Sequence, residues 1–320
     1  MRLYLAGAEA WGSLLLELGV PYQLMSYFYF RTMRAGTKAH DLLAKMRRAH
    51  AAGYRFMLDS GAFTYNTKAN MPGAKLPEPR GYFQEYKNFI QDHGDLFEVI
   101  VELDIDNFGA GTDRAVSLSE VDDWTNELFS IREIGPKIMP VYHASRGPTW
   151  LRDWLLDTGS PYIGFGSSGG GGAAAFVAQA RRFGKAAHGF AQTRIKTELK
   201  YAEFYSVDSS TWLRADKFGG TCIFQEGRFT VLDHLHKADR RLYRRYFESW
   251  GLDWAKIAKD DLHEMRKSTI IAWRELGKHL EKQAYARNAG KDPYLLEAAK
   301  AGIELKEHPV ITKARKEQNG

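Results

Sequence analysis

Short apolar runs return at regular intervals along the chain, with longer stretches between them in which apolar positions recur every three or four residues. The runs lie near Arg2–Glu9, Gln23–Phe30, Arg55–Asp59, Glu98–Asp106, Lys137–His143, Tyr162–Gly166, Ala187–Ala191 and Phe204–Asp208. They are continuous and rich in Val, Ile, Phe and Tyr, the pattern of strands buried on both faces. The stretches between them predict helices over Ala39–Ala52, Gly81–Gln91, Ser119–Ile134, Pro148–Asp157, Ala173–Phe183 and Arg194–Tyr201. Ser119 with Glu120 behind it suits a helix start, and so does Pro148 in a first turn. Strand and helix alternating about eight times predict an α/β fold of the (β/α)8 TIM barrel class. A doubly wound open sheet is the alternative, weakened because no dinucleotide-type glycine fingerprint follows the first strand.

The pattern changes after the eighth strand. Gly219-Gly220 is a break, and Thr221–Gln225 and Arg228–Leu232, separated by Glu226-Gly227, predict a β-hairpin. From His234 onward the chain reads as charged helix, with Trp250, Trp254, Ile257, Leu262, Met265 and Trp273 as its expected buried face. The expected division is a barrel domain over residues 1–220 and a hairpin with a basic helical extension over 221–320. The end of the chain, from about Lys313, reads as frayed.

Composition narrows the function classes. With 320 residues, 44% of them hydrophobic, the chain can bury a large core. The single cysteine, Cys222, excludes a disulfide framework and a CxxC-type metal knuckle, and reads as a small apolar residue of the hairpin. No apolar run is long enough for a membrane span, and the start of the sequence lacks a signal-peptide layout, so a cytoplasmic setting is expected. The charge is uneven. From Thr211 onward Lys and Arg outnumber Asp and Glu by six, which is the whole net charge of +6. Such asymmetry suits nucleic-acid contact or, equally, a solvated helical surface.

In a barrel, chemistry gathers where the strands end. Those ends supply Asp59 and Ser60, Asp104 and Asp106, His143, Gly164 and Gly166, His188, and Asp208. The mouth is rich in carboxylates and poor in cations, which favours a neutral ligand offering N–H groups. Each position has a second reading. Asp59 before Ser-Gly suits a turn, and Asp208 before Ser-Ser-Thr suits a helix cap. Asp104 and Asp106 suit a hard-metal pair, although no ligand spacing supports it, so no metal or cofactor is expected. His143 and His188 are each open to a structural role. Gly169–Gly172 reads as a phosphate-binding nest or a linker.

Asp59-Ser-Gly-Ala-Phe63 resembles the Asp-Ser-Gly-Gly-Phe motif of the tRNA-guanine transglycosylases. Asp208-Ser-Ser-Thr-Trp-Leu-Arg214 is similar to that family's nucleophile segment, Leu103-Asp104 to its base-recognising strand, and Ile163-Gly164-Phe165-Gly166 to its Leu-Ala-Val-Gly stretch. These matches keep the family's order over residues 55 to 219. The departures matter as much. One cysteine cannot make the cysteine/histidine zinc site of the bacterial tRNA enzymes, and His143 stands where the family has a base-contacting Gln. A short, zinc-free chain resembles the phage-type branch that replaces guanine in DNA by a 7-deazaguanine.

The resemblance implies Asp208 as nucleophile at C1′ and Asp59 as proton handler for the leaving and incoming bases. It implies Asp104 as reader of the purine's N–H edge, with Asp106, His143, Gly166, Ser60 and His188 completing the pocket. Tyr27, Phe63 and Phe108 are candidate stacking rings. The partners expected are DNA with a flipped-out or single-stranded guanine, and a free 7-deazaguanine base such as 7-cyano-7-deazaguanine. Arg214, Lys217, Arg228, Arg240, Arg241, Arg244 and Arg245 are the expected phosphate contacts. Three rivals share parts of this pattern: a tRNA-directed transglycosylase, a non-catalytic nucleic-acid-binding barrel, and a metal-dependent barrel hydrolase.

Overall fold

The computed structural model describes residues 1–33, 37–69, 71, 75–105, 116–143, 146–157, 159–166, 172–193, 204–213, 219–232 and 238–287. Nine short strands form one all-parallel sheet: β1 (Arg2–Ala6), β2 (Tyr22–Ser26), β3 (Arg55–Asp59), β4 (Val99–Val101), β5 (Ile138–Met139), β6 (Val141–Tyr142), β7 (Tyr162–Phe165), β8 (Ala186–Gly189) and β9 (Ser206–Ser209). Their order is β5-β4-β3-β2-β1-β9-β8-β7-β6, which brings the two halves of one interrupted strand to the two ends of the list. With β5 and β6 counted as one strand, the sheet is a (β/α)8 barrel. The interruption is Pro140, which has no N–H for a ladder. The buried Glu102 carboxylate accepts the neighbouring Val141 amide at 2.7 Å, and the Pro140 carbonyl accepts from Gly164 N at 2.8 Å.

Helices α1 (Gly12–Glu17) to α8 (Ala173–Arg182) follow the strands as the 3.6-residue patterning requires, with α3 at Thr37–Ala51, α5 at Pro79–His93, α6 at Leu118–Phe129 and α7 at Gly147–Asp157. Three sequence expectations are corrected. The second strand stops at Ser26, and Tyr27–Met33 is helix α2. Aromatic residues favour strands, but here Tyr27 packs its ring on Tyr82, Tyr86 and Phe89, and Phe30 also meets Phe89, so tertiary contact overrides propensity. The cap of α6 is Ser117, not Ser119, in a reciprocal box with Glu120. The fourth strand ends at Val101, so Asp104 lies on the loop beyond it. The expected helix Arg194–Tyr201 lies outside the described residues.

Inward positions of the strands fill the barrel with Tyr4, Leu24, Met57, Val99, Val101, Met139, Val141, Tyr162 and Ala186. At the strand starts, the floor, Arg2 Nη1 donates to Glu98 Oε1 at 2.8 Å and Arg55 Nε stands 3.9 Å from Glu98 Oε2. The Arg2 guanidinium also lies over the Tyr22 and Tyr205 rings.

The hairpin β10 (Thr221–Gln225) and β11 (Arg228–Leu232) pairs antiparallel with the bounds its sequence predicts. Two short helices, α9 (Arg244–Ser249) and α10 (Trp254–Ile257), lead to the long helix α11 (Leu262–Arg287). Its residues Ile270, Trp273, Leu276 and Leu280 pack into the core of the barrel's outer faces, while Ile271 joins Ile223, Leu232, Tyr246, Phe247, Leu252 and Ile257 in a second core cluster. Ile257, Met265 and Trp273 are buried as expected, whereas Trp250 and Leu262 are exposed. The helix runs from mouth to floor. Arg266 stacks on Trp11, just beyond β1, with its guanidinium carbon 3.6 Å from the ring centroid. Fifteen residues on, Glu281 accepts from Tyr22 Oη at 2.5 Å at the start of β2. Among the described residues no helix is long and apolar enough to cross a membrane.

Candidate active site

Strand register carries the two aspartates to one end of the barrel. Asp59 ends β3 beside Ser26 of β2, and Asp208 in β9 pairs with Tyr4 of β1. Side chains alternate along a strand, so Asp59 shares the inward face with Met57, a residue of the barrel interior. Burial, together with the charges of Asp104 and then of Asp208, pushes the Asp59 carboxyl up to about 7, against the pull of Ser26 and the Gly61 amide. The charges of Asp104 and Asp208 therefore both bear on Asp59.

The turn reading of Asp59 also holds, because its Oδ2 accepts from the Gly61 amide at 3.0 Å. Gly61 has φ +79°, and a Cβ there would meet Phe28 Cβ at 2.6 Å and Ser26 Oγ at 2.9 Å, so only glycine lets the chain turn this tightly behind the carboxylate. The capping reading of Asp208 does not hold. Ser209 Oγ accepts the Thr211 amide instead, at 3.1 Å. Asp208 Oδ1 accepts the Ala191 amide at 2.9 Å. Ala191 has φ 54°, an uncommon conformation for a residue with a Cβ, held where its N–H meets a carboxylate. Neither oxygen of Asp208 pairs with a Lys or Arg among the described residues.

Asp104 is assembled with its neighbours. Ser60 Oγ, fully buried, donates to Asp104 Oδ1 at 3.1 Å, and His143 Nε2 lies 3.3 Å from Asp104 Oδ2. The His143 ring rests on Gly166, where a Cβ would come within 2.4 Å of it. Ser60 thus supports Asp104 rather than lining the mouth, and Gly166 makes room for His143. Both Asp104 and His143 remain partly exposed.

Other expectations are corrected. His188 is fully buried and lies behind Asp208, so it lines no ligand space. Tyr27 is fully buried in an aromatic cluster, which excludes it as a stacking ring. Phe63, on helix α4 (Ala62–Ala69) one turn from Asp59, is 85% exposed. Arg240 is buried, donating to Asp260 Oδ1 at 2.7 Å and to the Gly219 carbonyl, so it braces the chain and does not face a phosphate. Arg241, Arg244 and Arg245 are exposed, Arg244 in an i,i+4 pair with Glu248. Arg228 is exposed at the hairpin turn beside Gly227, which approaches His279 near the floor end of α11. Asp106, Phe108, Gly169, Gly170, Gly171, Arg214 and Lys217 lie outside the described residues.

Two carboxyls at the same end were not singled out from the sequence. Burial pushes Glu9 up to about 7, while its Oε1 accepts the Ser26 amide. Burial likewise raises Glu102 to about 7, opposed by Arg146. An acid at the end of each apolar run was the available signal for both. Among the described residues no group of three or more His, Cys, Asp or Glu is placed to hold a metal ion.

No family model and no curated protein matches the chain. Among solved structures, an enolase protein from the environmental genome shotgun sequencing of the Sargasso Sea is similar at 12% identity and a TM-score of 0.38, over 65% of this chain. The match spans 54% of that protein, about half its length, and a likeness at this level carries no argument about fold or chemistry.

Proposed function

We propose that the protein is a DNA-guanine transglycosylase, exchanging guanine in DNA for a 7-deazaguanine such as 7-cyano-7-deazaguanine through a covalent aspartyl–sugar intermediate. One observation carries the reading. At the mouth end of the barrel, burial first and then the charges of Asp104 and Asp208 push the Asp59 carboxyl up to about 7, which suits it to hold and pass on a proton beside a second strand-end carboxylate.

The steps balance without a further reactant. Asp208 attacks C1′ of the target nucleotide, the C1′–N9 bond breaks, and Asp59 gives its proton to the departing guanine. The incoming base then surrenders its N9 proton to Asp59 as N9 attacks C1′, and the C1′–O bond to Asp208 breaks. Two inversions give retention, as in a retaining glycosidase. Asp104, oriented by Ser60 and His143, accepts from the purine's N1–H and exocyclic amine. Phe63 offers a face for a flipped base.

The test is direct. Duplex DNA, single-stranded DNA and tRNA are each incubated with enzyme and isotope-labelled 7-deazaguanine, digested to nucleosides and weighed. The expected result is label in DNA with release of guanine. Label confined to tRNA would move the substrate to RNA. Binding of DNA with no label in any substrate would leave a non-catalytic barrel. Loss of activity in EDTA would favour the metal-dependent hydrolase.

A further inference from the structure

His188 is a buried polar group that the scheme above leaves unused. Its Nδ1 lies 2.6 Å from Ser206 Oγ, and Ser206 Oγ in turn bonds the Tyr162 hydroxyl. Its Nε2 lies 3.4 Å from Asp208 Oδ1, within ion-pair distance but outside hydrogen-bond geometry, and has no hydrogen-bond partner among the described residues. Tyr4, Tyr162 and Phe190 present rings edge-on to the imidazole, Phe190 at a centroid distance of 4.5 Å. Strand register makes the arrangement: His188 of β8 pairs with Ser206 of β9, two residues before Asp208 on the same inward face.

We infer that Tyr162, Ser206 and His188 form a one-way hydrogen-bond chain, closed to water, that positions the nucleophile Asp208. The polarity follows from counting protons. A hydroxyl carries one proton, and a neutral imidazole carries one ring proton. If Nδ1 held it, the Nε2 lone pair would face a carboxylate oxygen. With Nε2 protonated, Tyr162 donates to Ser206, Ser206 donates to Nδ1, and Nε2–H points at Asp208 Oδ1. Every dipole then aligns toward the carboxylate, and aligned bonds strengthen one another. Together with the Ala191 amide, the chain anchors Oδ1 from two sides and leaves Oδ2 to meet C1′. The same donors stabilise the carboxylate as it leaves in the second displacement. His188 is a positioning residue, since it reaches no substrate.

The role in exchange rests on the transglycosylase reading, whereas the hydrogen-bond chain itself does not, and two measurements separate them. In the full-length protein labelled with 15N-histidine, long-range 1H–15N spectra should show His188 as the Nε2–H tautomer, assigned by its loss in His188→Gln. In Ser206→Ala that tautomer should give way to a mixture in a protein that still folds, with the melting temperature lowered by the loss of a buried hydroxyl. A wild-type Nδ1–H tautomer would overturn the chain, whatever the protein's activity. In exchange assays, Ser206→Ala and the near-isosteric Tyr162→Phe should lower kcat up to about tenfold with KM unchanged, the effect of losing one neutral hydrogen bond behind the imidazole, and Ser206→Thr should restore it. Wild-type kcat in both variants would overturn the positioning role. No exchange by the wild-type protein, with the Nε2–H tautomer present, would sink the transglycosylase reading and leave the chain standing.

Discussion

The two ends of one barrel handle buried charge in opposite ways. At the floor, Arg2 and Arg55 flank Glu98, two tyrosine rings face Arg2, and Tyr22 donates to Glu281. Positive and negative groups are matched there. At the mouth, Asp59, Asp104 and Asp208 lie with histidines and hydroxyls and pair with no Lys or Arg among the described residues, and burial pushes Asp59, Glu9 and Glu102 up to about 7, Glu102 against the pull of Arg146. Matched burial holds a fold together, while unmatched burial stores reactivity at some cost in stability. Substitutions at the two ends should therefore have opposite signatures.

The largest effect belongs to Asp208→Asn. Losing the nucleophile should reduce exchange by at least about a thousandfold, with the melting temperature hardly changed because the amide oxygen still accepts from Ala191. Nucleoside mass spectrometry gives the rate and calorimetry the stability. Undiminished exchange would remove Asp208 from the chemistry.

Asp59→Asn should separate activity from stability. Exchange should fall about a hundredfold or more, the usual contribution of a proton handler. Stability should rise at pH 8. The folded protein keeps Asp59 protonated up to about 7, whereas the unfolded chain ionises near 4, so the wild type loses stability as pH climbs between those values and stays penalised above them. Asn lifts that penalty, by about 1–2 kcal/mol after allowance for partial exposure. Urea titrations at pH 5 and pH 8 check it. The gain should appear at pH 8 and shrink at pH 5. Equal stability of both proteins at both values would contradict an elevated Asp59.

Glu98→Gln reverses that pattern. It leaves Arg2 and Arg55 buried without their anion, which should cost about 3–5 kcal/mol in unfolding free energy. The folded fraction should retain its exchange rate, since the floor is a barrel length away from the mouth.

Much of this contrast is legible in the sequence. Eight apolar runs specify the barrel, and the acids at or near the ends of three of them name Asp59, Asp104 and Asp208, because a buried parallel strand has no local use for such an acid. The hairpin emerges with its bounds because Glu226-Gly227 is turn chemistry between two apolar runs. What periodicity does not carry is lateral register. Nothing along the chain says that His188 stands beside Ser206, or that Ser60 serves Asp104, since those contacts join neighbouring strands. Charge counting failed at Arg240 for a related reason. An arginine in a basic run looks solvated until the fold sets Asp260 and the Gly219 carbonyl against it.

The smallest expected effect tests which end of the molecule meets nucleic acid. Arg240 bonds the Gly219 carbonyl beyond the last barrel strand and lies 3.4 Å from Met265 Sδ, in the first turn of α11 at the mouth end. The next residue, Arg241, is exposed there, and Arg245 follows one turn on. Arg228 has the same charge and is also exposed, but it belongs to the hairpin turn beside His279, level with the floor. If DNA approaches the carboxylate mouth, Arg241→Ala should weaken binding a few-fold and reduce the slope of log K against log salt by about one. Arg228→Ala should leave both unchanged. Fluorescence anisotropy across a salt series measures the two variants side by side. An effect from Arg228 equal to that from Arg241 would mean that the basic surface binds through its overall field, independent of the end at which the carboxylates lie.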